Sequence, residues 1–332
     1  MDTSEIISHF RLMSGDQQIK LLSRLEFINM ENEVTEAIIV EQVESSKPLN
    51  CPYCRATNIV SNGKQHGVRR FKCNNCNKNF SEPTGTTLAW LKKKGKFKHY
   101  LNHMLAGHSI RKCAELTGIS NQTSFDWRHK ILSSMEEAQA EQLSGICESD
   151  DMFFNYSEKG KRALGRPSRK RGGELHKQGI SDEKVAVIIS CDRQGSKDLH
   201  VATRGRISKK DITRILENKI KSGSILCTDS HRSYTAFARS EKIQHKKIKA
   251  NKGQYVKNKI YHVQHVNQTG QALRKWMGKF NGVSTKYPQN YLNWYAGLEK
   301  IKDNKKQLQS FSKLAVASPS AWFNHKNRSP VI

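Results

Sequence analysis

The sequence predicts an α/β protein: a mixed-sheet core behind a four-cysteine metal hairpin and a helix-turn-helix. Three observations carry this. Strand-like runs at 146–154, 185–192 and 199–203 precede a helix, a further strand and more helices, an order that builds a mixed sheet with helices packed on it. Two Cys-x2-Cys pairs, Cys51/Cys54 and Cys73/Cys76, flank a short stretch of strand-like residues. Gly118 separates two helical segments, each with a serine at its start.

The chain is long enough for two or three domains, at 332 residues. Its 57 Lys+Arg against 30 Asp+Glu leave +27, a balance that disfavours an ordinary metabolic enzyme and favours a polyanionic partner, nucleic acid first. The longest clean apolar run, Val185 to Ile189, is far short of the ~20 residues of a spanning helix. The N-terminus has no basic flank leading into an apolar stretch, so no secretory signal is expected. The expectation is a cytoplasmic, nucleoid-associated protein with no membrane partner.

Residues 1–45 carry apolar residues at helical spacing and a cluster of glutamates, and are expected to form short helices. Residues 46–85 hold the cysteine pairs. Each pair offers two thiolates from a tight knuckle, and two knuckles close a tetrahedral site, so one structural zinc is expected on Cys51, Cys54, Cys73 and Cys76. A segment this short buries little core, and the metal supplies much of its folding energy. A redox Cys-x2-Cys needs one pair beside a βαβ unit, not two pairs on a hairpin. Asn62-Gly63 is expected as the hairpin turn, and His66 as a surface or DNA-contacting residue. The other four cysteines, Cys113, Cys147, Cys191 and Cys227, sit singly in apolar stretches and read as small buried hydrophobes.

Residues 86–138 read as helical, with a first helix over 88–106. Ser109 can cap the next, Ala114 is small where helices cross, Gly118 allows a sharp turn, and Ser120 can cap the following helix. In such a unit Asn121, Gln122 and Thr123 would face the major groove. Residues 139–310 form the α/β core, with helices expected at 208–221, 233–239, 263–280 and 287–301, and strands at 225–229 and 245–248. Residues 311–332 read as a tail. Tyr287, Tyr291 and Tyr295 recur at i, i+4 and i+8 with Trp294 beside them, the pattern of a packed helix face.

Acidic residues are scarce, so their placement is informative. Glu148 and Asp150 share one face of a strand, with Asp151 beside them. Asp229 ends a strand, where α/β folds commonly place functional residues. Asn267 lies on a later helix. Two carboxylates on neighbouring strands plus an amide oxygen make a hard-ligand cluster suited to Mg²⁺. Two such ions, ~3.5–4 Å apart, would activate an attacking oxygen and stabilise the leaving one at a phosphodiester. With one carboxylate replaced by an amide, Glu148 or a DNA phosphate is a candidate to complete the site.

The stretches CPYC…CNNC, ESDDMFF, GRPSRKRGG, ISDEKVAVIISCDRQG, LCTDSHRSYTAFA and HVQHVNQTGQALRKWMGKFNGVSTKYPQNYLNWY cover roughly residues 50–295. Through them the sequence resembles insertion-sequence transposases of the DDE superfamily, in the subgroup with an N-terminal zinc ribbon and Asn as third catalytic residue. The resemblance implies a ribonuclease-H-like core with Asp150, Asp229 and Asn267 as the catalytic set. It also implies a transposase that binds the element's terminal inverted repeats, cleaves the ends in a Mg²⁺-dependent hydrolysis and joins the 3′-OH to target DNA. The family commonly has Lys or Glu seven residues after the Asn; here Arg274 stands there and Lys275 follows. Seven residues turn a helix by about 700°, so Arg274 shares the face of Asn267, about 10 Å along the axis, too far for the same metal but suited to clamping a phosphate.

The loop 159–177 is rich in Lys and Arg with several glycines, and leaves the strand that carries Asp150. Arg166, Arg169, Lys170 and Arg171 are therefore expected to contact DNA. Expected partners are double-stranded DNA, at element ends and target, and further copies of the chain. The alternative is a non-catalytic regulator binding DNA through the zinc ribbon and helix-turn-helix, derived from an inactive transposase.

Overall fold

The fold is that of a computed structural model, which describes residues 2–26, 50–65, 68–161, 163–165, 177, 179–318 and 321. His66, the loop arginines and Lys170, and most of the glutamates before position 45 lie outside these residues. The chain divides into two compact units: Met1–Arg128 with Asp303–Trp322, and a second built on His129–Lys302.

In the first unit, helix α1 (Thr3–Arg11) and helical residues 15–26 precede a three-stranded antiparallel sheet, β1 (Ile59–Gln65), β2 (Val68–Cys73) and β3 (Asn79–Ser81), in the order β1-β2-β3. The hairpin is where the cysteine spacing puts it, but Asn62-Gly63 is not its turn. β1 continues through both residues, its register shifts between Ser61 and Lys64, and Gly63 takes a positive φ of 72°. The Asn-Gly pair therefore makes a bulge, another use of the same left-handed freedom.

The helical region is shorter than its apolar spacing suggests. Of residues 88–106 only α2 (Phe97–Leu105) and a 3-10 turn at Lys94–Lys96 are helical. Trp90 sits at φ 60°, outside any right-handed helix, and three consecutive lysines and Gly95 follow it closely. Next come α3 (Ile110–Thr117) and α4 (Asn121–Ser134). The Ser109 hydroxyl accepts from the Lys112 N–H, Gly118 is left-handed at φ 63°, and the Ser120 hydroxyl accepts from the Thr123 N–H.

The second unit is a five-stranded sheet in the order β6-β5-β4-β7-β8, formed by β4 (Ile146–Asn155), β5 (Lys184–Asp192), β6 (Lys197–Arg204), β7 (Ile225–Thr228) and β8 (Gln244–Lys247). β4, β5 and β6 run antiparallel in sequence; β7 and β8 lie parallel to β4 on its other side. This is a ribonuclease-H-like sheet. β5 is buried along nearly its whole length, as a central strand covered on both faces must be. On one face α5 (Lys209–Leu216) and α6 (Arg232–Ser240) cover Cys147, Ala186, Ile188, Ala202 and Leu226. On the other, α7 (Gln264–Gly278) lies over β4 and β5, and a Cβ added at Gly270 would meet Ile189 Cδ1 at 3.5 Å.

α5 starts on a full capping box between Ser208 and Asp211 but stops early, because Glu217 leaves the helical region at ψ 129° and Asn218 then turns left-handed at φ 62°. Helix α8 (Pro288–Ile301) is buried along most of its length, and its Tyr291, Trp294 and Tyr295 pack as core against Trp276. Gln289 and Gln139 satisfy the free edge of β6: the Val201 N–H donates to Gln289, and the Leu199 N–H to Gln139. A last helix, α9 (Gln307–Val316), packs against α2 in the first unit, in a region where the sequence suggests mostly tail. Among the described residues no helix is long and apolar enough to cross a membrane.

Candidate active site and four-cysteine centre

The four paired cysteines converge. Their sulfurs lie within 4.8 Å of one another, with Cys51–Cys76 and Cys54–Cys73 each at 3.6 Å. Four thiolates in a tetrahedron about a zinc at ~2.3 Å stand about 3.8 Å apart, so the donors fit that ion with little movement. The two knuckles are built alike. Arg55, just after the second cysteine of its pair, is left-handed at φ 61°, and Asn77, just after the second of the other, at φ 55°. No fifth ligand comes from the described residues around the cluster, and the donor set suits a structural ion.

The acidic residues meet in the second unit. β4 pairs with β7 only from Ile146↔Ile225 to Glu148↔Cys227. Extending that parallel register by two steps brings Asp229, just beyond β7, abreast of Asp150. A cleft of about 270 Å³ lies here between β4, Ile189 of β5 and α7; Asp229 is not among the residues that line it. Asp150, Asp151, Met152, Asn267, Gln271 and Arg274 are among the residues that line it.

Electrostatics agree with the register. Burial, and then the negative charge of Asp151 and of Asp229, push the Asp150 carboxyl up to about 7. Burial and then Asp229 raise Asp151, opposed by His231. The Asp229 carboxylate accepts the His231 N–H at 2.9 Å, which holds it in a turn just beyond β7. A group of carboxylates that raise one another in this way is suited to a divalent cation.

On α7 the cleft takes one face: Asn267, Gly270, Gln271 and Arg274, spaced i, i+3, i+4, i+7. Arg274 thus lies on the face of Asn267, and Lys275 is not part of the lining. Sequence reasoning undervalued Asp151, whose strand parity points it away from Asp150, yet both line the cleft.

Glu148 differs from its expected use. It is fully buried, and both of its oxygens are engaged by protein: Oε2 accepts the His265 and Val266 N–H groups at 2.9 and 3.2 Å, and Oε1 lies 2.8 Å from His265 Nδ1 and 3.0 Å from Arg193. It does not line the cleft. Glu148, His262 and His265 do cluster within 4.8 Å, but Arg193 bridges the carboxylate and His262 Nε2 (2.9 Å), so a guanidinium already holds the place of a cation.

Of the helix-turn-helix candidates, Asn121 and Gln122 are exposed and Thr123 half-buried at the start of α4; Gln122 donates to Asp126 and Thr123 bonds to Ser120.

Residues 142–296 match the family of ISXO2-like transposase domains. The chain is 23% identical over 256 residues to an uncharacterized protein in the transposable element ISH50 of Halobacterium salinarum, covering 76% of this chain and 86% of that one. Among solved structures it overlaps loosely with a Mos1 transposase paired-end complex (12% identity, 70% of this chain and 79% of that chain, TM-score 0.31). A similarly loose overlap is found with a simian T-cell lymphotropic virus intasome (11% identity, 62% and 68%, TM-score 0.29). The resemblance to insertion-sequence transposases is therefore borne out, and residues 142–296, which match the ISXO2-like transposase domain, hold every acidic and amide group that lines the cleft.

Proposed function

We propose that the protein is a DNA transposase that cleaves the ends of its insertion sequence and joins them to target DNA, with Asp150, Asp229 and Asn267 holding two Mg²⁺ ions. The observation that carries this is that a central strand and helix α7 present an acidic cleft, with the charge of Asp229 acting on its Asp150, in a protein of net charge +27. Only a substrate that is itself a polyanion, together with cations, suits that combination.

Bound Mg²⁺ supplies positive charge at the attacking and leaving oxygens of the scissile phosphate. The chain does the rest. Asp150 and Asp229 contribute anionic oxygens from rigid strands, and Asn267 a neutral one from α7. Arg274, a turn or two further on, clamps a neighbouring phosphate. In the first step a water oxygen bonds to phosphorus and the bond to the 3′ oxygen breaks, leaving a 3′-OH on the element. In the second that 3′-OH attacks a target phosphate and displaces a target 3′ oxygen. The first-unit elements serve recognition: the zinc ribbon and the start of α4, with Asn121, Gln122 and Thr123, contact the terminal repeats. Arg166, Arg169, Lys170 and Arg171 grip the backbone beside the cleft. Both ends must be processed together, so the working form is a homo-oligomer.

Incubation of the zinc-loaded protein with Mg²⁺ and a labelled duplex from the DNA flanking its gene tests this. Cutting followed by joining, abolished by Asp150→Ala with DNA binding retained, is the expected result. Cutting without joining indicates a nuclease. Binding without cutting, unaffected by Asp150→Ala, indicates a DNA-binding regulator.

A further inference from the structure

Helix α7 lacks an ordinary start. Its N-cap residue is Val263, which has no side-chain acceptor, and the preceding His262 serves the first amide alone, its Nδ1 accepting the Gln264 N–H at 3.2 Å. The first-turn amides of a helix need acceptors, and in most helices a Ser, Thr, Asp or Asn at the N-cap bonds the second and third N–H groups. Here those groups belong to His265 and Val266, and both donate to one carboxylate oxygen of Glu148, 117 and 118 residues earlier on β4. The other oxygen meets His265 Nδ1 and the Arg193 guanidinium. Arg193 also donates to the Ile260 carbonyl, 3.1 Å away, and contacts His262, fastening the approach to the helix. The carboxylate sits at the positive end of the helix dipole, a favourable place for an anion.

Two residues after Glu148 on the same face of the same strand is Asp150. Two residues after His265 is Asn267, whose N–H continues the helix by donating to the Val263 carbonyl at 3.1 Å. One buried side chain thus bolts the strand carrying the first carboxylate to the first turn of the helix carrying the amide.

We propose that Glu148 is a positioning residue: an N-cap supplied from β4, which sets the spacing of Asn267 from Asp150 and so the affinity of the cleft for its divalent ion. The proposal rests on the metal-binding reading given above. Glu148 itself touches neither ion nor DNA. Residues that orient metal ligands commonly contribute about 10–100-fold in metal affinity.

The test uses full-length, zinc-loaded protein and Mn²⁺ as the probe, with free Mn²⁺ followed by electron paramagnetic resonance. Amide hydrogen exchange is measured on the peptides covering α7. Wild type binds Mn²⁺ and Asp150→Ala does not. Glu148→Gln keeps the volume but replaces one acceptor oxygen by a donor. Folded, and with its zinc retained, it is expected to bind Mn²⁺ about tenfold or more weakly. Its His265 and Val266 amides exchange about tenfold faster or more. Cleavage by this variant recovers as Mn²⁺ is raised, because the reacting groups are intact. If Glu148→Gln does not fold, Glu148→Asp takes its place. It keeps the charge but withdraws it by one methylene, and a milder loss in the same direction is expected. A folded variant with wild-type Mn²⁺ affinity overturns the proposal alone, provided Asp150→Ala has lost binding. If Asp150→Ala binds Mn²⁺ like wild type, the metal-binding reading fails and this proposal falls with it.

Discussion

Eight cysteines divide by spacing alone into two chemistries, and the structure keeps the division. The paired four gather their sulfurs; Cys113, Cys147, Cys191 and Cys227 are each buried. Burial raises all four single thiols, Cys147 and Cys191 to about 12 and Cys227 to about 11. At pH 8 a thiol with such a value is ionised in about a thousandth of molecules or fewer, and it is the thiolate that reacts. The zinc-loaded protein is therefore expected to show no fast thiol with a colorimetric disulfide reagent at pH 8. Stripping the metal with a chelator should expose a fast class of four, and denaturant the remainder. A fast thiol before chelation would contradict the assignment. At this scale the sequence also singled out Asp150 and Asn267, which both line the cleft, and Asp229, whose charge acts on Asp150, because residue type, strand parity and strand ends are local properties. Glu148 was not legible in the same way. Its parity matches Asp150, which made it look like a further ligand, yet its partners are backbone amides of a helix far along the chain. No local pattern encodes that pairing.

Helices and strands were legible to the extent that local chemistry sets them. Ser109, Gly118 and Ser120 do in the structure what their side chains suggest. Boundaries slipped where a residue outside the apolar pattern turned left-handed: Trp90 before α2, Asn218 after α5, Gly63 inside β1. Apolar periodicity says which face is buried, but not where the backbone leaves the helical region. Gly118 gives the sharpest test at this level. Its φ of 63° costs an L-residue about 1–2 kcal/mol. A Cβ there would also stand 3.0 Å from Lys96 Nζ, which bonds to the Gly118 carbonyl at 2.9 Å. The lysine end can swing aside, so the backbone term dominates. Gly118→Ala is expected to lower the stability of the first unit by about 1–2 kcal/mol in denaturant titrations, with zinc content unchanged. An unaltered midpoint would mean that the turn between α3 and α4 does not need a left-handed residue.

For the molecule as a whole, charge is the property read most directly, and it bears on function more than on fold. A surplus of +27 coexists with an acidic cleft, so the basic groups must work around that cleft and the carboxylates within it. The topology followed from the order of strand-like runs and from the resemblance, whereas the pairing of β4 with β7, which brings Asp229 abreast of Asp150, is a tertiary fact. The basic loop and the start of α4, in the roles proposed above, differ in what they should do to DNA affinity. Removing one Lys or Arg from a phosphate lowers the slope of log affinity against log salt by about 0.9 on duplex DNA, whatever the sequence. Replacing Arg166, Arg169, Lys170 and Arg171 by Ala should therefore weaken binding to terminal-repeat and unrelated duplexes alike. The salt slope should flatten by up to about 4. Replacing Asn121, Gln122 and Thr123 should instead leave the slope nearly unchanged and erase the preference for the terminal repeat, since hydrogen bonds to base edges carry sequence and release no counterions. Fluorescence-anisotropy titrations of both variants on both duplexes, between low and moderate salt, separate the two effects. A loop variant with an unaltered slope would remove the loop from the DNA path. An α4 variant that keeps its sequence preference would remove that helix from the reading of the element end.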